Sequence, residues 1–311
     1  MQNIPELFEK LVEGTAAYLK DCHIQCMVLG ISGGIDSTVC AAICREVSKR
    51  HAIPLIGRSL PLLNKDSEKH IADKVGSLYC DDFKVVDFTP AYELFRDTIT
   101  NNEGLSLQTG LANGNIQCRM RMTYLYNVAG TRKGIVIDTD NMTEHYLGFF
   151  TKNGDEFDFS PIASLWKTEV YELAKWLAYH FYNKKEDELR QEAMIDSINA
   201  VPTDGLGFST SDLEQIGADS YVDVDDILQT TLCQNVKFKD AMSVLIPKYG
   251  ANVVFKVLSR CCNSHFKREK LPIPLAIPPK YIKEFGLVGQ PYLLSYATFM
   301  ESLEEYFSKI D

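Results

Sequence analysis

The chain is short of several features that would decide its class at once. None of its nine cysteines is spaced Cys-x-x-Cys, so a zinc knuckle or a dithiol redox centre is not expected, and the thiols read as reduced. Positive charge is not in surplus: 32 Lys and Arg face 42 Asp and Glu, a net charge of −10, which argues against a general nucleic-acid binder. The N-terminal run Met1–Phe8 has no basic leader, and no apolar stretch is long enough to span a bilayer, so a cytoplasmic protein is expected. Internal repeats and low-complexity segments are also missing. With 311 residues and 45% hydrophobic content, the chain can bury a full α/β core.

What is present centres on Met27-Val28-Leu29-Gly30-Ile31-Ser32-Gly33-Gly34-Ile35-Asp36-Ser37. An apolar strand leads into Ser-Gly-Gly-x-Asp-Ser and then into a helical pattern. Glycines at 33 and 34 let the backbone turn tightly and bring N–H groups close to an anion at a helix N-terminus. Ser32 and Ser37 add hydroxyls. The loop lacks the Gly-Lys-Ser/Thr ending that grips β and γ phosphates, so it reads as a pyrophosphate cradle of another kind. Asp36 would repel phosphate unless a divalent cation lay between them, which makes it a candidate Mg²⁺ ligand; the plainer reading is a helix cap.

Apolar runs that read as strands recur at 25–31, 54–60, 83–88 and 134–138, with helical stripes between them. Val39, Ile43 and Val47 form one stripe; Ile71, Val75 and Leu78 form another; Val170, Leu173 and Leu177 form a third. Leu7, Phe8, Leu11 and Ala16 predict an amphipathic N-terminal helix, and residues 183–192 read as a solvated loop or helix end. Such alternation predicts a Rossmann-like parallel sheet covered on both faces, with ligands at the carboxyl ends of the strands. Ser32 and Asp138 sit at such ends. Cys40 and Cys44 read as small core side chains.

A second cluster follows the strand at 134–138: Asp138-Thr139-Asp140-Asn141-Met142-Thr143-Glu144, then Gly148-Phe149-Phe150-Thr151-Lys152-Asn153-Gly154-Asp155. Glu144 could complete a Mg²⁺ site with Asp36, or be an ordinary surface residue. Lys152 and Asp155 flank an Asn-Gly turn and could simply pair.

Taken with Asn115–Met122, Lys167-Thr168-Glu169-Val170, Pro202-Thr203 and Ser264-His265-Phe266-Lys267-Arg268, these segments resemble ammonia-dependent NAD⁺ synthetases over roughly residues 5 to 272. The resemblance implies an adenine nucleotide alpha hydrolase-like fold over 1–272, a C-terminal extension at 273–311 without an assigned role, and a homodimer. It also implies a reaction: the carboxylate of deamido-NAD⁺ is adenylated by ATP, and ammonia then displaces AMP. By position, Ser32, Gly33, Gly34, Asp36, Ser37, Lys167 and Thr203 would hold ATP, and Asp36 and Glu144 would hold Mg²⁺. Arg119, Thr139, Lys152, Asp158, His265 and Lys267 would bind deamido-NAD⁺. Asp155, Lys152 and Lys167 would act in catalysis, with Asp155 handling ammonium.

Chemistry supports these residue types. Attack on phosphorus needs positive charge to balance the growing negative charge, and ammonium needs a carboxylate to hold it and take its proton. Arg119 and Arg121 are two apart on a predicted helix and point about 200° from each other, so only one can face a given pocket. One could reach ligand while the other meets a partner subunit, or both could be solvated. Arg58-Ser59-Leu60-Pro61 carries one residue more than the family's Arg-Leu-Pro, and either Glu214 or Gln215 could be the acidic-segment contact. With 31 residues before Ser32, a glutaminase domain is not expected, leaving ammonia as the nitrogen source. The alternatives are another adenylating ligase with this loop and a nucleotide-binding module without turnover.

Overall fold

The computed structural model describes residues 3–62, 66–104, 110–201, 212–234 and 236–268, all within one compact unit, Met1–Arg268. Thr203 and the segment 273–311 lie outside the described residues.

Helix α1 (Ile4–Asp21) starts where the Asn3 side chain accepts the Glu6 N–H, with Pro5 in its first turn. It buries Phe8, Val12, Ala16 and Leu19. Four strands follow, each succeeded by helix: β1 (Met27–Gly30), α2 (Ile35–His51), β2 (Leu55–Ser59), α3 (Asp66–Tyr79), β3 (Asp82–Val85), α4 (Thr89–Glu103), α5 (Gly110–Thr131), β4 (Ile135–Ile137) and α6 (Met142–Leu147). All four strands pair in parallel, in the order β3-β2-β1-β4. The expected sheet is therefore present, with strands shorter than the apolar runs that announced them.

Strand periodicity divides the core. Met27, Leu29, Leu55, Ile135 and Ile137 point to a cluster with α1, α2, α3 and the later helices, whereas Val28, Ile56 and Val136 point to Leu125 and Ala129 of α5. The sheet is thus buried on both faces, which is why its strands read as continuous apolar runs. Val39, Ile43 and Val47 are wholly buried, as are Val170, Leu173, Leu177, Cys40 and Cys44. At about 25 cal/mol per Å² of apolar surface removed from water, each such side chain contributes roughly 1.5–3 kcal/mol.

After α6, helix α7 (Lys167–Trp176) runs into a wider π turn at Leu177–Phe181. A 3₁₀ turn at Lys185–Asp187 leads directly into α8 (Glu188–Asn199), so the charged stretch 183–192 is half turn and half helix. Helices α9 (Asp212–Ile216), α10 (Tyr221–Leu232), α11 (Phe238–Tyr249), α12 (Ala251–Asn263) and α13 (His265–Arg268) complete the described chain. They bury a third cluster, including Leu147, Val224, Leu228, Leu245 and Val257. No helix among the described residues is long and apolar enough to cross a membrane.

Candidate active site

Strand order reverses direction between β1 and β4, because the chain runs outward from β1 through β2 and β3 and then returns to β1's other side. The crevice beyond the carboxyl ends of those two strands is the expected ligand position in an open parallel sheet. A cavity of about 460 Å³ lies there.

Its floor is the loop between β1 and α2. Gly33 has φ of +83°, a left-handed conformation that favours glycine, and it swings the chain into the 17-residue helix α2. The Ser32 hydroxyl donates to Ser37 Oγ at 3.0 Å and accepts the Gly34 N–H at 3.3 Å, while Ser37 and Thr38 both donate to the Gly34 carbonyl. The loop is therefore held by its own hydroxyls at the positive end of a helix.

Asp36 lies in the first turn of α2 but does not cap it, since Gly34 takes the N-cap position without a side-chain bond. Its carboxylate turns into the cavity instead. Lys167 Nζ lies 2.5 Å from Asp36 Oδ2 and 2.8 Å from Glu144 Oε1, and Asn141 Nδ2 donates to Asp36 Oδ1 at 2.9 Å. Glu144 also closes a capping box with Asn141 at the start of α6, which fixes its backbone. Lys167 is only 2% exposed. Burial would lower its pKa, but Asp36 and Glu144 together raise it well above its ordinary value, so it stays charged. Burial and the Asp36 charge push Glu144 up to about 7, against the pull of Lys167.

Lys167 is set from behind by a buried clasp that sequence reading missed. Its backbone N–H donates to Thr143 Oγ1, whose hydroxyl donates to Asp225 Oδ1 at 2.5 Å, and Asp225 Oδ2 accepts the Thr168 N–H. Three helices, α6, α7 and α10, thereby meet at one carboxylate. Nothing in the local sequence of Asp225 marks it out, because its partners are more than 50 residues away.

On the opposite wall, the turn after α6 presents Asp155. Gly148 there has φ of +68°, and a Cβ would come within 2.4 Å of the Ser264 side chain, so α6 can end only this close to α12 as glycine. Asp155 Oδ1 accepts the Thr151 N–H. Burial raises the Asp155 pKa, opposed by that hydrogen bond and by the Lys267 charge. Lys267 Nζ donates to the Gly148 and Phe150 carbonyls, and burial lowers its pKa despite nearby Asp155. Burial likewise pushes Asp138 up to about 7 and Asp140 well above its usual range, each worsened by neighbouring carboxylates.

The structure thus brings Ser32, Gly33, Gly34, Asp36, Ser37, Thr139, Glu144, Asp155, Lys167 and Lys267 to one cavity lining. Four other expected residues lie off it. Arg119 is exposed, its guanidinium donating to the Lys152 carbonyl, whereas Arg121 two residues on lines the cavity and donates to the Leu60 carbonyl. His265 and Lys267 separate in the same way on α13, since residues two apart on a helix face opposite sides. Lys152 reaches the Phe266 carbonyl at 2.6 Å. Asp158 accepts the Tyr126 hydroxyl and the Val136 N–H, joining α5 to β4. Arg58 lines the wall while bonding Asp82 at 3.0 Å, and Gln215 rather than Glu214 faces inward.

A parallel sheet with a glycine-serine anion cradle at its switch point, opposed by a lysine-bridged carboxylate pair, defines a nucleotide-binding α/β protein of the adenylating kind. Comparison narrows that class: residues 7–271 match the family described as NAD synthase, and the chain belongs to it. An NH(3)-dependent NAD(+) synthetase of Thermoplasma acidophilum is 33% identical over 232 residues, covering 73% of this chain and 82% of that one. One from Fusobacterium nucleatum is 28% identical over 272 residues, 87% and 95% of the two chains. Among solved structures, an NMN synthetase from Francisella tularensis superposes with a TM-score of 0.69 at 27% identity, covering 87% of this chain and 98% of that one.

Proposed function

We propose that this protein amidates deamido-NAD⁺ with ammonia at the expense of ATP, giving NAD⁺, AMP and pyrophosphate. The observation that carries the reading is the placement of Asp36, Glu144 and Lys167 beside the Ser32–Ser37 cradle, in one cavity with Asp155. The family is ATP-using, and its named relatives are ammonia-dependent.

Asp36 and Glu144 fit Mg²⁺: they are hard oxygen donors within reach of one cation, and Mg²⁺ commonly takes one or two carboxylates plus substrate phosphate oxygens. Bound there, the ion would neutralise charge on the phosphates during displacement. The cradle's N–H groups and the Ser32 and Ser37 hydroxyls would hold the leaving pyrophosphate, and Lys167 would balance charge at the α phosphate. The substrate carboxylate oxygen attacks that phosphorus and pyrophosphate departs. Asp155, made more basic by burial, would take a proton from ammonium; the nitrogen then bonds the acyl carbon as the C–O bond to AMP breaks, and the second proton it sheds goes to the departing AMP phosphate. Thr139 and Lys267 would contact the dinucleotide.

Leu94 and Phe95 are half or more exposed on α4, which packs against α5, the helix that carries exposed Arg119. Such an apolar face suits a second copy of the chain, and a dimer would bury upwards of ~1,000 Å². Arg119, Lys152, Asp158 and His265 would then act at the dimer rim. All nine cysteines are free, in keeping with a reducing, cytoplasmic setting.

Likeness to an NMN synthetase favours one second reading, a mononucleotide acceptor in place of the dinucleotide. Incubation with ATP, Mg²⁺, ammonium and either deamido-NAD⁺ or nicotinate mononucleotide separates the two. NAD⁺, AMP and pyrophosphate from the dinucleotide are expected. Preferential turnover of the mononucleotide would establish the second reading, and release of ADP and phosphate would overturn both.

A further inference from the structure

Asn141 is wholly buried at the N-cap of α6, and its polar atoms meet the two acidic residues of the site. Its Nδ2 donates to Asp36 Oδ1 at 2.9 Å, its Oδ1 accepts the Glu144 N–H at 3.1 Å, and its own N–H donates to Glu144 Oε2 at 3.4 Å. The amide can face only one way, since an NH₂ group cannot accept the Glu144 N–H and a carbonyl cannot donate to a carboxylate.

These bonds divide the carboxylate oxygens between two partners. Asp36 Oδ1 and Glu144 Oε2 belong to Asn141, whereas Asp36 Oδ2 and Glu144 Oε1 both meet the Lys167 ammonium. Asn141 thus grips the far oxygen of each carboxylate and leaves the near ones converging on a single cationic nitrogen. Two like charges this close repel, and among the described residues Asp36 is held by hydrogen bonds from Asn141 and Lys167 alone. Lys167 offsets the repulsion with charge. Asn141 instead orients the pair without adding any.

We propose that Asn141 is a positioning residue that keeps Asp36 and Glu144 aimed at one shared Mg²⁺, a role that rests on the Mg²⁺ reading above. It acts only through the two carboxylates and touches neither ion nor substrate. Lys167 is the partner that the proposed chemistry assigns to the α phosphate, so the neutral amide is the constraint that stays on the pair. Loss of an outer partner of this kind typically costs about 10–100-fold in metal affinity.

Asn141→Thr and Asn141→Ser test the role. Both side chains still cap α6 by accepting the Glu144 N–H, but neither replaces the amide donor to Asp36. Calorimetry gives the ATP Kd with saturating Mg²⁺ and with chelator, in the absence of any acceptor. Wild type should bind ATP at least tenfold more tightly with Mg²⁺, and both variants should lose roughly a factor of ten of that gain, the equivalent of ~1.4 kcal/mol. The ATP Kd in chelator and the deamido-NAD⁺ KM should stay within twofold of wild type. A Mg²⁺ gain within twofold of wild type in either folded variant overturns the proposal. ATP binding weakened alike with and without Mg²⁺, or loss of the folded state in both variants, assigns Asn141 to the fold and overturns it too. A wild-type gain below tenfold removes the Mg²⁺ reading itself, and the role of Asn141 with it.

Discussion

Replacing Glu144 with Gln should stabilise the metal-free protein while abolishing its chemistry. Glu144, Asp36 and Lys167 bring two negative charges and one positive charge into a site where the Glu144 side chain is 16% exposed. Burial and the Asp36 charge move the Glu144 carboxyl from its ordinary 4.5 to about 7. A carboxyl raised in this way costs the folded state nothing below about pH 4.5, where it is protonated in both states. The cost grows between 4.5 and 7 and is constant above, because the unfolded chain ionises first. A rise of that size corresponds to about 3 kcal/mol. Gln keeps the shape and the capping-box acceptor for the Asn141 N–H, and it leaves Lys167 paired with Asp36 alone. Thermal melts of chelator-treated wild type and Glu144→Gln from pH 5 to 8 should show the variant melting higher by on the order of 5 °C at pH 8, with the gap closing toward pH 5. Pyrophosphate exchange by the variant in Mg²⁺ should be lost. A variant less stable than wild type at pH 8, or a gap that does not change with pH, would refute the account of the charges.

Asp155→Asn should keep pyrophosphate exchange yet amidate some 10²–10⁴ times more slowly, the size expected for loss of a positioned base; full amidation, or equal loss of both activities, would remove Asp155 from the second half-reaction. Gly76→Ala should destabilise the protein by roughly 1–3 kcal/mol without changing substrate KM values, since a Cβ at 76 would come within 2.0 Å of the Phe83 ring. Denaturant unfolding monitored beside steady-state kinetics checks this, and an unchanged midpoint would mean the ring moves freely aside.

Much of the sheet was legible because its strands are buried on both faces and so read as apolar runs; the run at 25–31 became β1 at Met27–Gly30, and that at 134–138 became β4 at Ile135–Ile137. The edge strand was placed less well: β3 begins at Asp82, one residue before the apolar run at 83–88, because its outer residues are partly exposed and carry no clean pattern. The 183–192 stretch, read as a solvated loop or helix end, is mostly exposed and holds the turn that opens α8. Charge dominates it, yet α8 begins at Glu188 and buries Ala193 and Met194 just beyond.

Sequence by itself determined the local chemistry: the glycine-serine turn between strand and helix, the residue types able to meet phosphate, metal and ammonium, and the helical geometry that lets only one of Arg119 and Arg121 face a pocket. Those depend on neighbours a few residues apart, where backbone geometry alone sets direction. Only the tertiary structure decided that Arg121 rather than Arg119, and Lys267 rather than His265, line the cavity. It also decided that Lys167 bridges Asp36 and Glu144 and that Asp225 ties three helices behind it. These arrangements join residues up to 131 positions apart. Their charges act through space and burial, and neither quantity exists until the sheet and its helices have packed.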